Sequence, residues 1–84
     1  MGEIIYIIKL TFSSPVGEEM SMIVYATTDY DKLVEQVRDN SLFSAENKDI
    51  YIYMFEDGLL SRAYPINVSN YDQVLDIIKN LINR

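Results

Sequence analysis

Cysteine, histidine and tryptophan are all missing from this 84-residue chain. Without histidine or cysteine there is no Ser-His or Cys-His nucleophilic pair, no imidazole general base, and no thiolate or imidazole zinc site. Without cysteine there is also no disulfide framework, the usual support of a secreted domain this small, so the expected setting is cytoplasmic. Glycine is nearly as scarce: the three residues, at positions 2, 17 and 58, form no phosphate-cradling loop, and no Walker or dinucleotide fingerprint occurs. Positive charge is in short supply too. Seven Lys and Arg stand against thirteen Asp and Glu, a formal net charge of −6. Nucleic-acid affinity comes mainly from Lys and Arg neutralising phosphates, so direct nucleic-acid binding is not expected, and a basic protein is the electrostatically natural partner. On these grounds we expect no cofactor, no metal and no enzymatic activity.

Long apolar runs are absent as well. Ile4 to Ile8 is short, is preceded by Glu3 rather than a basic region, and is followed by Lys9, so it reads as neither signal peptide nor membrane span. What remains is a chain that is 49% hydrophobic, enough for a packed core. At this length it forms one domain, residues 1–84, able to bury about 65% of the surface exposed when unfolded. The start at Met1 is expected to mark a complete small gene product.

The most informative stretch is Asp49 to Tyr64. Ile50 to Phe55 are six consecutive β-branched, aromatic or thioether residues, and they run into Asp57-Gly58 before a second semi-apolar run. A two-residue type I′ turn needs positive φ at both centres, which Asp-Gly tolerates, so this is a hairpin. An uninterrupted register would set Leu60, Arg62 and Tyr64 across from Phe55, Tyr53 and Tyr51, with Ile50, Ile52 and Met54 on the other face against Ser61 and Ala63. Pro65 cannot donate to a ladder, which places its strand at an edge.

A matching unit precedes it. Ile4 to Phe12 reads as a strand with Ile4, Tyr6, Ile8, Leu10 and Phe12 on one wholly apolar face. Ser13 to Glu19 is a turn punctuated by Pro15 and Gly17, and Met20 to Ala26 is the return strand. Thr28 is the expected N-cap of a helix whose stripe is Tyr30, Leu33, Val34 and Val37; Ser69 is the expected N-cap of a second, with Tyr71, Val74, Leu75, Ile78, Leu81 and Ile82. Asp39-Asn40-Ser41 ends the first helix. Leu42 and Phe43 are expected under the connection, and Ser44 to Lys48 in a polar loop. Thr28 to Glu35 aligns without a gap on Ser69 to Asp76, so the chain reads as two ββα pseudo-repeats, residues 3–41 and 49–83. The expected fold is α+β: a four-stranded antiparallel sheet of order 2-1-3-4 with both helices on one face. Order 1-2-3-4 with a parallel middle pair is the alternative.

Function must then come from surfaces. Asp31, Glu35 and Asp39 recur at i, i+4, i+8 and would line one helix ridge in steps of about 6 Å. Glu56 and Asp57 add charge at the second turn. The adjacent acids have structural explanations in caps and turns, and no EF-hand spacing occurs. Both faces of the Ile50–Phe55 strand are apolar, whereas a sheet wet on one side normally alternates. By analogy with the first strand, Tyr51, Tyr53 and Phe55 are expected to point into the core; the alternative makes Tyr51, Tyr53 and Arg62 a contact face. In either case apolar surface is left over, so a homodimer is expected. The candidate partner-binding residues are Asp31, Glu35, Asp39, Glu56, Asp57, Tyr51, Tyr53 and Arg62. This acidic, catalytically bare profile is shared with small phage and mobile-element inhibitors, such as anti-CRISPR proteins and DNA mimics. The expected function is therefore stoichiometric blocking of a basic nucleic-acid-binding surface, with a homodimeric structural or assembly subunit as the alternative.

Overall fold

In the computed structural model, which describes residues 3–39 and 48–83, the elements run β1 (Ile4–Ser13), β2 (Glu19–Thr27), α1 (Tyr30–Arg38), β3 (Lys48–Glu56), β4 (Leu59–Ile66) and α2 (Tyr71–Ile82). The four strands form one antiparallel sheet in the order β2-β1-β3-β4, and the fold is α+β as the strand and helix patterns require. The two strands with the longest apolar runs are central, and the Pro65 strand is an edge, where its missing N–H costs no ladder bond. Lys48, expected in a loop, already opens β3. The expectations for Asn40, Ser41, Leu42, Phe43 and the Ser44–Asn47 loop lie outside the described residues.

Side-chain alternation decides which face is the core. On β1 the even positions Tyr6, Ile8 and Leu10 are buried, with Ile4 and Phe12 packed at the ends of the row. The antiparallel register pairs Tyr6 with Met54, Ile8 with Ile52 and Leu10 with Ile50, so β3 also turns its even positions to the helices. This corrects the expectation that Tyr51, Tyr53 and Phe55 point inward. Partners in a ladder share a face, and β1 allows its neighbour only the Ile50, Ile52, Met54 set. Leu33 and Val37 of α1 and Val74, Leu75 and Ile78 of α2 close the core from above.

Both hairpins end in left-handed residues. Asp57 and Gly58 have φ of 53° and 82°, the pair of positive values that a type I′ turn demands, and Gly17 takes φ 85° in the first connection. The helix starts differ from the sequence expectation by one residue. Asp29, not Thr28, caps α1: its carboxylate accepts the Asp31 N–H at 2.9 Å, while Thr27 Oγ1 accepts the Asp29 N–H. A carboxylate so placed also faces the positive end of the helix. Before α2 the helix boundary residue is Asn70, not Ser69. Asn67 Oδ1 collects the N–H groups of Ser69 and Asn70, and Asn70 Oδ1 accepts that of Asn67. An asparagine turn thus does the work assigned to a serine cap.

The helices are joined to one another through Tyr30. Its ring meets Tyr6 edge-on, centroids 6.4 Å apart, and its hydroxyl donates to the Leu75 carbonyl at 2.8 Å. Burial raises the pKa of Tyr6, helped by Tyr30; burial also raises that of Tyr30, with Asp76 and Asp31 adding to it.

Two outcomes follow from this arrangement. Asp29→Ala should cost about 1 kcal/mol of stability in urea denaturation, while Thr28→Ala should stay within about 0.5 kcal/mol. Because both tyrosines hold their protons above the pH near 10 at which an unfolded tyrosine ionises, their contribution is complete below that pH and is lost as pH rises through the raised folded values. Thermal stability should therefore fall above about pH 10. Tyr30→Phe should cost about 1 kcal/mol at neutral pH and make that alkaline fall shallower.

Candidate functional site

The odd positions of the two central strands form the face of the sheet opposite the helices. Successive rows across β1 and β3 are Ile5–Phe55, Ile7–Tyr53, Lys9–Tyr51 and Thr11–Asp49. The flanking strands extend the rows: Leu60 beside Phe55, Ala26 and Ala63 outside Ile7–Tyr53, Ile23 and Pro65 outside Lys9–Tyr51, and Ser21 beside Thr11. One end of the face is therefore apolar and the other polar. A shallow hollow of about 320 Å³ sits on the apolar end among Ile7, Lys9, Ile23, Tyr53, Phe55 and Leu60. Another, of about 440 Å³, sits on the polar end among Lys9, Thr11, Glu19, Asp49 and Tyr51. Lys9 Nζ lies 5.5 Å from the Tyr53 ring centre, within cation–π range, and the Tyr51 and Tyr53 rings are 6.1 Å apart. Ile23 and Leu60 remain more than half exposed.

Two bulges set which outer-strand residues join this face. In the β1–β2 pair the register slips after Ile8, so that Ile8 faces Tyr25 and Lys9 faces Ile23, leaving Val24 extra. In the β3–β4 pair Phe55 faces Leu60 but Met54 faces Arg62, leaving Ser61 extra. The second bulge overturns the expected Tyr53–Arg62 and Tyr51–Tyr64 pairs. One inserted residue sends every later side chain to the other face, so Arg62 and Tyr64 join the helix side and Ala63 and Pro65 flank the tyrosines. Arg62 instead lines a separate hollow of about 230 Å³ with Ile4, Met54, Glu56, Leu81 and Ile82.

The acidic candidates fall in two further places. Asp31 and Glu35 are exposed on α1, but the helix stops at Arg38, and Asp39 is its C-cap in an extended conformation, φ −75° and ψ 99°. The ridge of three acids therefore keeps only the first of its two steps. Glu56 and Asp57 sit at the β3–β4 turn, at the opposite end of the sheet from Glu18 and Glu19. The eight candidates are thus not one site. Two acids were missed. Asp72 and Asp76 of α2 turn toward α1: Asp72 lies 3.6 Å from Arg38 across the helix pair, and Asp76 is close enough to Tyr30 to raise its pKa. The signal was present in the gapless repeat, which sets Asp72 on Asp31 and Asp76 on Glu35. Helices α1 and α2 run antiparallel, which brings the last turn of α1, with Arg38, beside the first turn of α2, with Asp72.

Among the described residues no three acids are grouped so as to hold a metal ion, and no helix is long and apolar enough to cross a membrane. No protein-family model, curated protein or solved structure matches the chain.

The bulge can be tested directly. Deleting Ser61 should remove only the extra residue, keep Tyr64 and Ile66 on the core side, and cost no more than about 1 kcal/mol. In an uninterrupted hairpin the same deletion would throw Ile66 out of the core, a loss of about 2 kcal/mol or more in chemical denaturation.

Proposed function

We propose that this protein is a small acidic protein-interaction module that acts by stoichiometric binding. Its target is a basic, nucleic-acid-binding surface of another protein, in the manner of the anti-CRISPR and DNA-mimic inhibitors of phages and mobile elements. One observation carries the reading. Every Asp and Glu among the described residues is exposed, and no charged side chain is buried in the core. The excess negative charge is therefore held at the surface, where it can steer and contact a cationic partner. The helix layer contributes Asp31 and Glu35 of α1 and Asp72 and Asp76 of α2, against Lys32, Arg38 and Lys79 on the same helices.

The helix layer is suited to this role because its acids contribute little to folding. Even the Arg38–Asp72 pair has side chains 62% and 69% exposed, a setting in which an ion pair contributes little stability. The carboxylates are free to be neutralised by mutation without loss of the scaffold beneath them.

The variant Asp31→Asn, Glu35→Gln, Asp72→Asn, Asp76→Asn should keep the parent's melting behaviour within a few degrees while weakening capture of the target from source-cell extract by about tenfold or more. The parent complex should dissociate as salt rises from about 0.1 M to about 1 M, which shortens the screening length from ~10 to ~3 Å. Duplex DNA should compete with it. A captured target that resists both salt and DNA, and binds the neutralised variant as well as the parent, would reject the proposal.

A further inference from the structure

Among the described residues nothing covers the face of the sheet opposite the helices, and the chemistry of that face specifies an occupant. We propose that it is a second copy of this chain, docked sheet to sheet about a two-fold axis that runs parallel to the strands between β1 and β3. The inference concerns a different surface from the acidic helix layer and does not rest on that layer's proposed target.

The polarity of the face selects the direction of packing. Its rows grade from Ile5–Phe55 and Ile7–Tyr53 at one end to Lys9–Tyr51 and Thr11–Asp49 at the other. An axis perpendicular to the strands would lay the Thr11–Asp49 row of one copy on the Ile5–Phe55 row of its mate, burying a carboxylate against aliphatic side chains without a partner. An axis parallel to the strands keeps like rows together and exchanges β1 with β3. Ile5 and Ile7 then pack on the partner's Phe55 and the partner's Tyr53, apolar on apolar. Lys9 comes over the partner's Tyr51, one row from the partner's Asp49. The same contacts repeat on the other side of the axis, as a closed pair requires.

Charge argues against a basic occupant. Lys9 stands half-buried near the centre of the face, over the Tyr53 ring, so a basic partner would bring cation to cation there. A second copy supplies a carboxylate at that point and receives one in return. Size agrees as well. The molecule is a slab of 44 × 25 × 16 Å, so a broad side is on the order of 1,000 Å², against the ~800 Å² per partner that a stable interface uses. Two stacked antiparallel sheets with interlocking inner faces about 10 Å apart are a common way to bury such surfaces.

The test is sedimentation equilibrium on the purified chain and three variants: Ile7→Lys, Lys9→Glu, and the charge exchange Lys9→Glu with Asp49→Lys. At about 50 μM, where a complex with micromolar Kd is largely formed, the parent should be a dimer. Ile7→Lys and Lys9→Glu should each weaken association by about tenfold or more while circular dichroism stays parental. The charge exchange should recover most of the association lost in Lys9→Glu, with circular dichroism and melting temperature parental in both Lys9 variants, so that the loss and its recovery are read in association and not in the fold of the single chain. If Ile7→Lys fails to fold, Lys9→Glu and its rescue still decide the matter, since neither residue is in the core. A monomeric parent overturns the proposal; so does a dimer whose association is indifferent to both Lys9→Glu and the exchange.

Discussion

The pairing of β1 with β3, with Ile8 directly opposite Ile52, is the interaction on which the rest of the molecule depends. Both side chains are fully buried beneath Leu33, Val37 and Ile78. Because a strand alternates faces with a period of two, fixing that one pair assigns every other side chain on both strands to a side. It makes Tyr6, Leu10, Ile50 and Met54 core residues, and by the same step it makes Ile5, Ile7, Tyr51, Tyr53 and Phe55 residents of the uncovered face. The helices then have a single surface to land on. Their apolar stripes, Tyr30-Leu33-Val34-Val37 and Tyr71-Val74-Leu75-Ile78-Ile82, pack against it.

How far this could be read in advance depends on whether the information is local or crosses strands. Asp57-Gly58 announces its own turn, because few other pairs tolerate positive φ twice in succession. The helical stripes, the placing of Pro65 at an edge, and the order 2-1-3-4 follow from residue types and connection lengths alone. The facing of β3 does not. Ile50, Ile52 and Met54 are as apolar as Tyr51, Tyr53 and Phe55, so composition offers no preference, and only the register against β1 chooses between them. The Ser61 bulge is harder still: nothing about a serine in a strand marks it as the extra residue, and its effect is to move Arg62 from the tyrosine face to a hollow beside Leu81 and Ile82. The cap errors have a smaller cause. Thr28 and Asp29 are both good N-cap residues standing side by side, and the carboxylate reaches the Asp31 N–H.

The two faces of the molecule have different physical characters, and that division organises its surface chemistry. On the helix side, the carboxylates are exposed, and that of Asp29 caps α1. On the sheet side, aromatic and aliphatic groups are only half sheltered, and the charges that do occur, on Lys9, Glu19 and Asp49, are gathered at one end. A chain with few bases has placed one of them at the border between the apolar and polar ends of this face, over an aromatic ring. That placement makes sense for a contact that must be oriented as well as sticky, since dispersion and apolar burial carry no sense of direction and a single cation among tyrosines does.

The bulges at Val24 and Ser61 have a consequence for how this protein can grow. Each falls on an outermost strand, so neither border of the sheet offers a long, flat ladder of free N–H and C=O groups to an incoming strand; the second border also carries Pro65. Edge-to-edge addition, which would continue indefinitely from copy to copy, is thereby disfavoured at both ends. A broad face, by contrast, is used up once it is covered. Irregular borders around an apolar face thus direct any association toward a finite particle and away from a filament, a safeguard with particular value for a chain whose sheet is as rich in isoleucine and tyrosine as this one.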